Sequence, residues 1–207
     1  MASCSISSIL FVSVVFVSLS ASLAEMNLQT EVSDRVKNIC NTTEQQNQPR
    51  CYEFYKSDPR SSTADYKQLA EITIDLADSR CKRLLHWLNF HAKNESDQAY
   101  RIRYLQCSKH YSEALERLDA SKRYLEQKKY ESIEDLAAYA IEDSSECIAD
   151  FPKVNTPYTL LKKAKDFEFI TSFVKPAVEL SRKAAQETKK PFYYSLQSIL
   201  GKWVFHP

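Results

Sequence analysis

Residues 100–125 read YRIRYLQCSKHYSEALERLDASKRYL. Within this stretch Tyr100, Tyr104, Cys107, Tyr111, Ala114, Leu118, Ser121 and Leu125 recur at alternating steps of four and three. That spacing places them along one face of a long helix, because residues three and four apart are neighbours on a helical surface. A seam this long has to be covered by other helices of similar length.

The flanking sequence supplies them. Upstream, Ser62 and Asp65 read as an S-x-x-D capping box opening a helix whose apolar arc collects Tyr66, Leu69, Ala70, Thr73, Leu76, Ala77, Leu84 and Leu88. It ends near Asn94, where Asn94-Glu95-Ser96-Asp97 is polar and turn-like. Downstream, a second box from Ser132 to Asp135 opens a helix that buries Leu136, Ala140, Ser144, Cys147 and Phe151 before Pro152 and Pro157 interrupt it. A fourth segment runs from about Thr159 through Leu160, Ala164, Phe167, Thr171, Val174, Val178 and Ser181. Pro176 falls inside that pattern, and an internal proline costs about 3 kcal/mol and kinks or ends a helix. Four amphipathic segments with short links predict an all-α, up-and-down four-helix bundle. Ahead of it, Leu28, Val32, Val36 and Ile39 suggest one short helix and Cys51, Phe54 and Tyr55 another, joined by Asn-, Gln- and Thr-rich sequence. Such a hairpin is marginal alone and needs something to hold it together.

Composition narrows the function classes. The chain has a single glycine, Gly201, whereas hairpin turns and phosphate-cradling loops lean on glycine for φ > 0. The 28 basic and 27 acidic residues balance to a formal charge of +1, which gives no concentrated positive field for nucleic acid or an anionic membrane. Residues 1–24 contain no charged side chain, and Ile9 to Leu19 is an almost unbroken apolar run followed by small residues. This reads as a secretory signal cleaved before Glu25. The expected organisation is a signal over 1–24, an α-hairpin over 25–60, the bundle over 61–185 and a tail over 186–207.

Discarding Cys4 with the signal leaves Cys40, Cys51, Cys81, Cys107 and Cys147, an odd number for an oxidising compartment. Cys40 and Cys51 flank the N-terminal turn and are placed to staple the hairpin; Cys107 and Cys147 lie on the core faces of consecutive long helices. Spacing alone leaves other pairings open. Cys81 falls in the apolar arc of its helix and reads as a buried, free thiol acting as a small hydrophobe.

No catalytic pattern emerges. G-x-S-x-G, H-E-x-x-H and glycine-rich phosphate loops are absent. His86 and His91 point about 140° apart on a helix, so joint metal ligation is not expected. The acidic residues Glu131, Glu134, Asp135, Glu142 and Asp143 read as a solvated face, the first three suiting a helix N-terminus. Neither metal nor cofactor is implied. Asn41-Thr42-Thr43 and Asn94-Glu95-Ser96 are glycosylation sequons.

Several stretches together resemble the plant family of pectin methylesterase inhibitors and invertase inhibitors: Ile39-Cys40-Asn41-Thr42-Thr43 followed by Cys51; residues 56–65, KSDPRSSTAD; Leu105-Gln106-Cys107 with Tyr111 and Ala114; and Cys147 preceded by Ala137-Ala138 and Ala140. The resemblance runs from about Val32 to Ser181. It implies bridges Cys40–Cys51 and Cys107–Cys147, an N-terminal α-hairpin on a four-helix bundle, and no catalysis. The implied partner is a cell-wall or vacuolar carbohydrate-active enzyme, pectin methylesterase or acid invertase, whose cleft is obstructed by a docked inhibitor in the apoplast or vacuole. Lys128-Lys129-Tyr130 stands where invertase inhibitors carry a Pro-Lys-Phe motif; proline is absent here, and this target-contact loop does not decide between the two enzymes. Pro176, Cys81 and the tail with Phe192-Tyr193-Tyr194 and Trp203 depart from the family pattern and motivate a further reading, a non-inhibitory secreted bundle.

Overall fold

The computed structural model describes residues 32–153 and 155–188; the expected signal segment and the aromatic tail lie outside them. Helices run in the order α1 (Asp34–Cys40), α2 (Gln48–Lys56), α3 (Tyr66–Asn94), α4 (Gln98–Glu126), α5 (Tyr130–Ala149), α6 (Tyr158–Thr171) and α7 (Val174–Glu187), with 3-10 turns at Gln45–Asn47 and Pro59–Ser62. The described residues contain no strand, and none of their helices is long and apolar enough to cross a membrane.

The seam on α4 is the centre of the bundle. Tyr104, Cys107, Tyr111, Ala114, Leu118, Ser121 and Leu125 are all buried, joined by Ser108. α4 packs against α3 on one side and α5 on the other, and α6 and α7 together close the fourth position against α3 and α5. Tyr111 is fully buried, its ring centroid 5.5 Å from that of Phe167 and its hydroxyl 2.6 Å from Ser144 Oγ. Burial pushes its phenol pKa up, beyond the ordinary tyrosine range.

Local signals were misplaced at two helix starts. α3 is capped by Asp65, not Ser62. The Asp65 carboxylate accepts from the Gln68 N–H and the Gln68 side chain accepts from the Asp65 N–H, both at 2.8 Å. Ser62 is spent in the preceding 3-10 turn, donating its hydroxyl to the Pro59 carbonyl. α5 begins at Tyr130, two residues before the expected box, so Ser132 lies in its first turn. The buried face is Ile133, Ala137, Ala140, Asp143, Ser144 and Cys147, with Leu136 only half-buried.

Pro176 breaks the fourth segment into two helices, as its place inside the pattern implied. Its ring would clash with the carbonyl four residues back, at Ser172, and it has no N–H to donate there. The chain breaks at that point: α6 ends at Thr171, and α7 restarts with Phe173 as its N-cap, so that Ala177 donates to the Phe173 carbonyl at 3.1 Å. Pro176 thus occupies the first turn of α7, where a helix has no acceptor for its N–H. Pro176→Ala is accordingly expected to change stability by less than about 1 kcal/mol in urea unfolding, against the ~3 kcal/mol of an interior proline. A change of 2 kcal/mol or more would show that the break is not set in this way.

Cys40 is bonded to Cys51 with Cα atoms 5.7 Å apart, which closes the α1–α2 hairpin. The hairpin is tied to the bundle by Tyr55, whose hydroxyl meets Thr73 Oγ1 at 2.7 Å, and by Asn38 donating to the Tyr66 hydroxyl. Arg50 lies 4.1 Å from the Phe169 ring centroid and pairs with Asp166. Cys107 is bonded to Cys147, Cα atoms 4.4 Å apart, linking α4 to α5. Cys81 is buried and unbonded, its thiol directed at the Tyr111 carbonyl. Burial, then the charges of Asp78 and Asp143, push that thiol far up, so it stays protonated and inert.

Candidate target-docking surface

The turn between α4 and α5 is three residues long, 127–129. The Lys128 N–H donates to the Leu125 carbonyl at 3.2 Å and the Lys129 N–H to the Tyr124 carbonyl at 2.9 Å, the paired bonds of a Schellman motif. That motif needs a left-handed residue just past the helix end, and Lys128 fills it at φ 59°. Glycine is the usual occupant because a Cβ is strained there. Lys128→Gly is expected to stabilise the chain by about 0.5–1 kcal/mol in chemical unfolding, and destabilisation would contradict the strain at this residue.

Both lysines are exposed at this tip, while Tyr130 is the first residue of α5 and half-buried. The ring beneath the Lys129 ammonium is that of Tyr124, 5.1 Å from nitrogen to centroid, a cation–π contact that holds the charge near the surface. Tyr124 carried no signal in the sequence beyond following the seam. The result is a hydrogen-bonded, doubly basic turn backed by aromatic groups.

On the flank of α4 and α5 lies an ion pair that the sequence did not disclose. Arg117 Nε donates to Asp143 Oδ2 at 2.7 Å and its Nη2 to Oδ1 at 3.3 Å. Asp143 is buried, which corrects its assignment to a solvated face; Glu131, Asp135 and Glu142 are exposed and Glu134, half-buried, pairs with Lys175. Donating to the Asp143 carboxylate raises the Arg117 pKa. Tyr139, half-exposed, covers the guanidinium at 5.3 Å. His91 stacks between Trp87 and Tyr104 at 4.0 and 5.4 Å, and His86 is exposed. Among the described residues no three His, Cys, Asp or Glu side chains are grouped to hold a metal.

Residues 34–189 match the family described as plant invertase/pectin methylesterase inhibitor. The chain belongs to that family. A pectinesterase inhibitor of Actinidia deliciosa is 29% identical over 146 residues, 70% of this chain and 78% of that protein. Pectinesterase inhibitor 2 of Arabidopsis thaliana is 26% identical over 148 residues, covering 72% and 84% of the two chains. A crystal structure of a mutant form of a pectin methylesterase inhibitor from Arabidopsis superposes with a TM-score of 0.62 at 17% identity, over 70% of this chain and 95% of that one. A second pectin methylesterase inhibitor structure from Arabidopsis thaliana gives a TM-score of 0.54 at 17% identity, over 72% and 97%. At that identity the two solved structures establish the fold, a helical bundle. Both sequence relatives are inhibitors, not enzymes, and this member of the inhibitor family is likewise not an enzyme.

Proposed function

We propose that the protein is secreted to the apoplast and inhibits pectin methylesterase by forming a stoichiometric complex that obstructs the enzyme's substrate cleft. The observation that carries this reading is that both sequence relatives, each matched over about two-thirds or more of this chain, are pectinesterase inhibitors. The exposed turn Lys128-Lys129 with Tyr130 is the proposed contact: its backbone is already held by the paired turn bonds, which lowers the ordering cost of docking. Acid invertase, in the wall or the vacuole, is the second reading, supported by the family description, which names both enzymes. The non-inhibitory reading loses one of its motives, since Pro176 opens α7 and leaves the bundle closed.

The test is light scattering on mixtures of the purified chain with pectin methylesterase and, separately, with acid invertase. A one-to-one complex with the esterase alone is expected; a complex with the invertase alone moves the assignment to the second target, and none with either leaves the non-inhibitory bundle. Joint replacement Lys129→Ala and Tyr130→Ala is expected to weaken the complex by about tenfold or more, about 1.4 kcal/mol. Unchanged affinity would remove this turn as a contact.

A further inference from the structure

The two sequons sit in different mechanical settings. Asn94 is the last residue of α3, exposed, its Nδ2 donating to the Phe90 carbonyl at 2.6 Å. Beyond it the backbone leaves the helix: Glu95 is extended at φ −75°, ψ 126° and Asp97 at φ −73°, ψ 116°. Freeing Asn94 as an acceptor therefore means fraying the end of a helix, where opening is easiest. One turn back, Phe90 presents its ring to solvent at 57% exposure, an apolar surface that no other described side chain covers fully.

Asn41 is held at many points. It directly follows Cys40, which is bonded to Cys51. Its backbone is αR at φ −68°, ψ −9°, with its N–H on the Ile39 and Lys37 carbonyls. The Thr42 hydroxyl donates to the Ile39 carbonyl at 2.7 Å, and Thr43, half-buried, lines a cavity of about 360 Å³ with Phe173 and Pro176. Extending this tripeptide means opening the stapled hairpin.

We propose that Asn94 carries an N-linked glycan whose first sugar packs on Phe90, and that Asn41 stays unmodified. This rests on the secretion reading above. The donor is an oligosaccharide linked to a polyprenyl diphosphate, supplied by the secretory pathway. Asn94 Nδ2 attacks C1 of the first sugar, the C1–O bond to phosphate breaks, and the polyprenyl diphosphate leaves with the electron pair while Nδ2 loses one proton. The remaining N–H still serves the Phe90 carbonyl, which aims the sugar along the helix side. The apolar face of the sugar then removes exposed aromatic surface from water. Because α4 separates the α3–α4 turn from the α4–α5 turn by its 29 residues, about 43 Å, the glycan leaves the Lys128-Lys129 turn open.

The test uses the full chain expressed in cultured plant cells, with intact mass of the secreted product before and after a peptide-N-glycosidase. Wild type and Asn41→Gln are expected to lose the mass of one glycan, and Asn94→Gln to be secreted without it. In Phe90→Ser the glycan is expected to remain, but the rise in Tm that it gives the wild type disappears. A secreted wild type with no glycan, or a glycan that persists in Asn94→Gln, overturns the site and leaves secretion standing. An equal glycan-dependent Tm in Phe90→Ser overturns the packing on Phe90. Retention of the unmodified chain in the cytosol overturns this inference together with the secretion reading.

Discussion

Replacing the α4–α5 bridge with Cys107→Ala and Cys147→Ala together is expected to cost about 4 kcal/mol of unfolding free energy. The bridge closes a loop of sequence separation 40, and cross-linking a loop of that size removes roughly this much entropy from the unfolded chain. For a chain of this size the loss corresponds to about 8–16 °C in Tm. Both sulfurs lie in fully buried side chains on the faces that carry Tyr111, Ala114 and Ala140, so no hydration offsets the loss. The Cys40–Cys51 loop spans only 11 residues, and its removal is expected to cost about 3 kcal/mol on the same reasoning. Thermal unfolding followed by circular dichroism checks the order; a larger loss from the hairpin bridge would show that chain entropy is not the controlling quantity.

Arg117→Ala is expected to cost about 3 kcal/mol, because it leaves the buried carboxylate of Asp143 without its partner. Asp143→Ala should cost less, about 1–2 kcal/mol, since the Arg117 side chain keeps a third of its surface in solvent and can rehydrate. The asymmetry follows from where the two charges sit: 5% side-chain exposure for Asp143 against 33% for Arg117. Urea unfolding of the two single variants and the double variant reads it directly. Equal costs, or a greater loss from Asp143→Ala, would contradict the burial of that charge as the origin of the effect.

The bundle was legible wherever a repeating pattern spanned several turns. The α4 seam could be read residue by residue because each position reinforces the phase of the others, and a single polar member such as Ser121 does not disturb it. Helix starts were less legible, since Ser62, Asp65 and Ser132 are all good caps and only the surrounding chain decides which is used. Pro59 draws Ser62 into a 3-10 turn, and Tyr130 starts α5 before Ser132 is reached. The α5 face keeps Ala140, Ser144 and Cys147 as read, while its first turns bury Ile133 and Ala137 and leave Leu136 half-buried. The site residues were the hardest to see. Lys128 takes a glycine's conformation without being glycine, and the aromatic ring under Lys129 is Tyr124 on the preceding helix. Arg117 meets Asp143 across 26 residues, and neither residue has a local neighbour that announces the pair.

The most direct test of the central claim is a titration of pectin methylesterase at fixed concentration with the oxidised chain, residual activity being read against molar ratio. The expected result is a steady fall that reaches its floor near one equivalent, with acid invertase unaffected in a parallel titration. Full esterase activity at severalfold excess of a correctly bridged chain would contradict it.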